Sequence, residues 1–299
     1  MKEIKIGSKK LLIKDYYCDD GSGYIAKDDG KLWLYVNISD ICNGKCKFCI
    51  NPSPAAGRSE FRIDLFREIL HRIKDNVLGV SITGGEPMLH PELVDSVVEE
   101  VVRLFGFSIE IDMVTNGTCF TSITSLEQFR NLDSVHLSRH AVLDDDNDRV
   151  LGIRTVTARE IREVIEKADD PAKVVFNCVL MRGLIDSVDR VVDFLEMAAE
   201  IGVRNTSFIA LSPANAFCVN NYVDPGTLAL EEDPRFSVWN RFCDHGFCRC
   251  SSGSFAAKNR MVRYYYRAPG ANTAGYARQL VYTADNRLLA GFGGKEITF

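Results

Sequence analysis

Cys42, Cys46 and Cys49 fall within eight residues, directly after the apolar run Leu32 to Ile38. A C-x-x-x-C-x-x-C loop at the end of a strand-like segment constrains this chain more than any other feature. Three thiolates can hold three corners of an iron–sulfur cube and leave the fourth iron open to a second molecule. The same triplet suits a structural zinc ion, with a fourth Cys or His supplied from elsewhere. On the triplet alone both readings stand.

The surrounding pattern supplies a setting. Strand-like runs at 32–38, 77–83, 108–115, 134–138, 173–180 and 205–211 alternate with helical periodicity over Phe61 to Ile73, Leu93 to Leu104, Ile161 to Ala168 and Val188 to Ala199. Pro91 with Glu92 marks one helix start and Ser187 another. The third connection is irregular, with Leu126 to Leu132 as a short helix. Near-continuous apolar strands alternating with helices predict an α/β fold, a parallel sheet covered by helices. Six units over 32–211 predict a partial (β/α)6 TIM barrel. Residues 1–31 read as an N-terminal β-extension with an Asp29-Gly30 turn. Past Leu211 the alternation fails, and 212–299 read as a small C-terminal β-containing cap over the barrel mouth. Its strand-like runs are Met261 to Arg267, aromatic and basic, and Gln279 to Tyr282. The acidic run Asp144 to Asp148 reads as a solvated loop with an Asx turn, ahead of the alternative that it attracts a cationic substrate.

In parallel α/β architectures chemistry gathers at the carboxyl ends of the strands. The Cys loop follows the first strand there, and Thr83-Gly84-Gly85-Glu86-Pro87 the second. Thr115-Asn116-Gly117-Thr118 follows the third and Ser138-Arg139-His140 the fourth. All four meet at one rim.

Composition narrows the classes. A net charge of −5 argues against coating nucleic acid, which needs a basic face. The N-terminus lacks the apolar core of a secretory signal, and no apolar stretch approaches the ~20 residues that span a bilayer. A cytosolic protein is expected, its ten cysteines thiols or metal ligands rather than a disulfide framework. Cys119 and Cys178 read as small buried filler.

Taken together, the Cys loop, the Thr83–Pro87 turn and the Thr115–Thr118 turn make residues 32 to 211 resemble the radical S-adenosylmethionine superfamily. The resemblance implies a [4Fe–4S] cluster on Cys42, Cys46 and Cys49, with S-adenosylmethionine on the open iron. One electron then breaks the sulfur–C5′ bond, and a 5′-deoxyadenosyl radical takes a hydrogen atom from the substrate. It also implies that Gly84, Gly85 and Glu86 receive the methionine amino group, and that Thr115 and Asn116 lie where the methionyl carboxylate or ribose binds. Phe48 corresponds to an aromatic placed to pack near adenine or to shield the cluster. Ser138 is a cofactor-contacting position, Arg139 a partner for the carboxylate, and Asn177 a buried polar residue whose partner is the cofactor or the backbone. A low-potential flavodoxin or ferredoxin is the implied electron donor.

The stretch Val174 to Pro213 resembles the molybdenum-cofactor GTP cyclase and its SPASM/twitch relatives, which carry an auxiliary cluster in a C-terminal extension. Cys218, Cys243, Cys248 and Cys250 are the candidate ligands here, though C-x4-C-x-C departs from the usual twitch spacing. The cyclase's glycine–arginine tail is not matched by Gly291 to Glu296, which leads away from that specific activity. The expected function is hydrogen abstraction from a small molecule, nucleotide- or sugar-like, or from a peptide, leading to cyclisation, crosslinking, epimerisation or oxidation. The competing class is a non-catalytic scaffold stabilised by zinc or a cluster.

Overall fold

The computed structural model describes residues 2–13, 16–18, 24–26, 30–49, 60–167, 170–244, 248–255, 260–267, 277 and 279–299; for 16–18, 24–26, 171, 238–244, 248–252 and 260–267 it describes the backbone alone. β1 (Lys2–Ile6) and β2 (Lys9–Ile13) form an antiparallel hairpin, followed by the short antiparallel pair β3 (Tyr16–Cys18) and β4 (Tyr24–Ala26). This is the expected β-extension. Asp29 of the expected turn lies outside the described residues.

The core runs β5 (Leu32–Asn37), α1 (Ile63–Ile73), β6 (Val77–Thr83), α2 (Pro91–Phe105), β7 (Glu110–Thr115), β8 (Ser134–Ser138), α3 (Asp144–Leu151), α4 (Ala158–Lys167), β9 (Val174–Leu180), α5 (Val188–Ile201) and β10 (Asn205–Ala210). Strands β5 to β10 lie side by side in chain order and all parallel, the expected six-unit array. Local chemistry sets the helix ends. Pro91 opens α2 at a position whose amide needs no partner. Ser187 Oγ accepts from the Arg190 amide at 3.3 Å to cap α5, and Gly202 closes that helix in the left-handed region. Thr157 and Glu160 cap α4 reciprocally, the Thr157 amide donating to the carboxylate at 2.8 Å and the Glu160 amide to Thr157 Oγ1 at 3.3 Å.

Two local expectations are corrected. The acidic run is not a loop: Asp144 to Asp146 form the first turn of α3, where carboxylates complement the positive end of the helix. The third connection is a pair of 3₁₀ turns, Phe120–Ser125 and Phe129–Asn131, rather than a helix over 126–132. Its amides at Glu127 and Gln128 donate instead to the Asp95 carboxylate on α2, at 3.1 and 2.9 Å.

The C-terminal segment is β-rich as expected, and it extends both edges of the sheet. After the short helices α6 (Ala216–Asn220) and α7 (Pro225–Leu228) come β11 (Phe236–Asp244), β12 (Cys248–Phe255) and β13 (Arg260–Arg267). β13 pairs parallel with β10, and β12 and β11 continue antiparallel beyond it. At the opposite edge β14 (Gln279–Tyr282) pairs parallel with β5, followed by β15 (Leu288–Leu289) and β16 (Glu296–Ile297). Among the described residues no helix is long and apolar enough to cross a membrane.

The main core lies between the parallel sheet and its helices. Leu32, Leu34 and Val36 of β5, Phe176, Cys178 and Leu180 of β9, and Phe208 of β10 are buried there. Side chains alternate across a strand, so the neighbours of these residues face the other side. That second face is markedly polar: Tyr35, Asn37, Ser81, Asp112, His136, Ser138, Asn177 and Ser207 occupy its positions. Ser81 Oγ donates to the Asp112 carboxylate on it, and Asn37 Oδ1 is buried there without a partner among the described residues. Phe194 of α5 locks the apolar side, its ring edge-on to Phe176 at 5.8 Å and to Phe208 at 5.6 Å. Removing that fully buried ring should cost about 3–5 kcal/mol. Urea denaturation of Phe194→Ala measures it, and a loss under about 1 kcal/mol contradicts the packing described.

Candidate functional site

The Cys loop leaves β5 at Ile38 and is clamped from three sides. From the β6 side, the Gly85 amide donates to Ser39 O at 2.6 Å and the Glu86 amide to Ile41 O at 2.9 Å. This contact explains the glycine pair. A Cβ on Gly84 would sit 2.5 Å from Ser39 O, at a φ of 134°, and one on Gly85 would sit 2.0 Å from Ile41 O. The glycines admit the Cys loop's own backbone. From the far side, the Lys45 amide donates to Leu151 O at 2.8 Å, and Cys46 Sγ approaches the same carbonyl at 3.7 Å. α3, closed by Gly152, supplies that carbonyl.

From beneath, Glu86 joins the second and third turns. It is 1% exposed. Oε1 accepts from the Met88 amide at 3.0 Å and from Thr115 Oγ1 at 2.6 Å, and Oε2 accepts from the Asn116 amide at 2.6 Å. Burial pushes its carboxyl above the usual range, and these three donors pull the other way. The Glu86 side chain thus ties the two turns together from inside. Thr115, 1% exposed, is likewise committed: its hydroxyl donates to Glu86 and accepts from the Gly117 amide at 3.2 Å. Asn116 is turned toward the Cys loop, its Nδ2 donating to Asn43 Oδ1 at 2.9 Å.

The three cysteines carry free thiols, Cys42 and Cys46 half-buried and Cys49 exposed. Burial, then the charges of Cys49 and Cys42, push the Cys46 thiol up to about 12. Ionisation of Cys46 is opposed by the other two thiols unless a cation neutralises them, which is the donor chemistry an iron–sulfur cluster requires; among the described residues no three His, Cys, Asp or Glu side chains are already gathered to hold a metal ion.

On the β8–β9 side, Phe48 stacks edge-on against His140 at 5.1 Å and 90°, and Cys218 Sγ approaches its carbonyl at 3.9 Å. Phe48 thereby joins a small apolar cluster around Met181, Leu211 and Cys218. His140 is fully structural. Its Nδ1 accepts from the Val179 amide at 3.1 Å, so the proton sits on Nε2, and its own amide donates to Asn147 Oδ1 at 2.7 Å. Burial lowers its pKa to about 3. Arg139, 1% exposed, donates through Nη2 to Val142 O and to Asp144 Oδ1, both at 2.8 Å. Among the described residues, its Nε and Nη1 are buried with no partner. Ser138 ends β8 in register with Asn177. Asn177 is half-buried, and its Oδ1 lies 3.1 Å from His136 Nδ1.

Of the expected auxiliary ligands, Cys218 is fully buried in the apolar cluster just described. The side chains of Cys243, Cys248 and Cys250 lie outside the described residues; their backbones belong to β11 and β12, where Cys243 faces Cys250. Reading the sequence missed Ser39, Asn43 and the Leu151 carbonyl as supports of the Cys loop. The last is a backbone atom brought in from more than 100 residues away, as the contact from Cys46 shows, and leaves no signal in composition.

Comparison with known proteins agrees with this arrangement. The family profile of the Radical SAM superfamily matches residues 36–195. A probable GTP 3′,8-cyclase from Metallosphaera sedula is 29% identical over 188 residues, 60% of this chain and 56% of that protein. Human molybdenum cofactor biosynthesis protein 1 is 27% identical over 169 residues, 54% of this chain and 26% of that protein. The chain thus spans about half, or less, of the length of the curated relatives it matches. In fold, the crystal structure of Streptococcus suis SuiB bound to S-adenosylmethionine superposes with a TM-score of 0.61 at 15% identity, covering 88% of this chain and 60% of that one. A radical SAM methyltransferase from Sphaerobacter thermophilus gives 0.55 at 16% identity, covering 94% and 73%.

The neutral imidazole has a measurable consequence. Between its folded pKa of about 3 and the ordinary 6.5, the unfolded chain takes up a proton that the folded chain refuses. His140 therefore lowers stability as pH falls below 6.5 and has no such effect above it. At roughly 1.4 kcal/mol per pH unit, the lead of wild type over His140→Gln in urea denaturation should shrink by about 2 kcal/mol between pH 7 and pH 5. An unchanged lead contradicts the buried, neutral assignment.

Proposed function

This chain belongs to the radical SAM superfamily, and on that footing we propose that its Cys loop holds a [4Fe–4S] cluster and that its barrel starts a radical reaction on a nucleotide- or sugar-like small molecule. The observation that carries the proposal is the clamp: three adjacent thiols on a loop fixed by the β6 turn, by the Asn116 side chain of the β7 turn and by the end of α3. When bound, cluster and S-adenosylmethionine supply one electron and a breakable sulfur–carbon bond, giving a radical that takes hydrogen from the substrate. The protein's part is placement. Cys42, Cys46 and Cys49 fix three corners of the cluster. Glu86 and Thr115 hold the loop and the two turns at one spacing, so the rim does not open when the pocket fills.

Arg139 suits the cosubstrate's carboxylate. Two of its nitrogens are buried without partners among the described residues, which is costly unless an anionic group meets them. The polar face of the sheet favours a substrate rich in hydrogen-bonding groups over an apolar one, in keeping with relatives named as GTP cyclases. A second cluster on Cys243, Cys248 and Cys250 of the β11–β12 hairpin, a low-potential flavodoxin or ferredoxin as electron donor, and a cytosolic location complete the proposal.

Anaerobic reconstitution with iron and sulfide tests it. Dithionite and S-adenosylmethionine should then yield 5′-deoxyadenosine, with alanine at Cys42, Cys46 or Cys49 abolishing the yield. About eight irons per chain, rather than about four, would mark the second cluster. A colourless protein holding one zinc would instead support a scaffold. Arg139→Gln should keep its iron and bind S-adenosylmethionine about tenfold or more weakly, as loss of a charge-assisted hydrogen bond predicts. Equal affinity in equilibrium binding removes Arg139 from the site.

A further inference from the structure

Asn116 is held by more contacts than a turn residue needs. Its amide donates to Glu86 Oε2 at 2.6 Å, and its side-chain oxygen accepts from the Thr118 amide at 2.9 Å and from Thr118 Oγ1 at 2.7 Å. A backbone N–H only donates, so it pins the oxygen to that side and turns the NH₂ group toward the Cys loop. There Nδ2 donates to Asn43 Oδ1 at 2.9 Å and reaches Cys42 Sγ at 3.8 Å. The Gly44 amide approaches the same sulfur at 3.3 Å. Cys42 thus receives both a side-chain and a backbone donor, and the side-chain donor comes from a different turn.

Resting on the cluster assignment above, we infer that Asn116 is a positioning residue for the cluster: its side-chain amide donates to the Cys42 sulfur and thereby raises the cluster's reduction potential. Reduction adds negative charge that is shared with the cysteine sulfurs. Donors aimed at those sulfurs stabilise the reduced form more than the oxidised one. The amide is placed to do this by Thr118 and Glu86. This role differs from contact with S-adenosylmethionine, because it operates with the cosubstrate absent.

The test is the midpoint potential of the reconstituted cluster in the full chain, read by electron paramagnetic resonance during a reductive titration, with and without S-adenosylmethionine. Asn116→Asp is nearly isosteric and keeps the oxygen that Thr118 requires, while replacing the donor with a second acceptor. It should load iron and shift the reduced-to-oxidised ratio at fixed potential at least tenfold toward the oxidised form, which for one electron is about 59 mV more negative. Asn116→Ala should shift the same way by less. A cluster present at wild-type potential in both variants overturns the inference and leaves the cluster assignment standing. A shift seen only with S-adenosylmethionine bound also overturns it, since Asn116 would then act through the cosubstrate. If neither wild type nor variants take up a cluster, the assignment itself fails.

Discussion

The site depends on one buried carboxylate. Glu86 receives the Met88 amide within its own turn and two donors from the turn after β7, while its backbone amide holds the Cys loop at Ile41. Three segments separated in sequence are therefore joined at one residue. Internal donors rather than water solvate the charge, so its burial is tolerable only while all three segments stay in place. The arrangement is cooperative in the strict sense: freeing one turn exposes the carboxylate and weakens its hold on the others.

The glycines beside it show how a motif can be recognised for one reason and required for another. The pair suggests close approach of a ligand, and close approach is what it provides. The group that approaches is the chain itself, the carbonyls of Ser39 and Ile41. A Cβ at either position would drive the Cys loop away from the rim. A turn of this kind acts by shaping the loop beside it.

Much of the fold was legible in the sequence, because alternation of apolar runs is a local signal. The strand-like runs at 77–83 and 134–138 coincide with β6 and β8, and the remaining four differ from their strands by one or two residues at an end. The acidic run at 144–148 was misread because three aspartates lower helix propensity, whereas at a helix start they stabilise it. The reciprocal cap in Thr157-Ala158-Arg159-Glu160 was available to read and marks the start of α4. At the site, residue types pointed to the correct rim but not to their partners. That Thr115 answers Glu86, or that Asn177 meets His136, depends on strand register, which no single strand encodes. The pairing of β13 and β14 with opposite edges of the sheet is of the same long-range kind.

That edge pairing bears on how the protein matures. β5, which launches the Cys loop, has β6 on one flank and β14 on the other, with Leu34 opposite Leu280. During synthesis the second flank stays bare until β14, far later in the sequence, has left the ribosome, and bringing such distant segments together is entropically slow. The launching strand thus gains its second neighbour only after all six strands of the parallel array have been made.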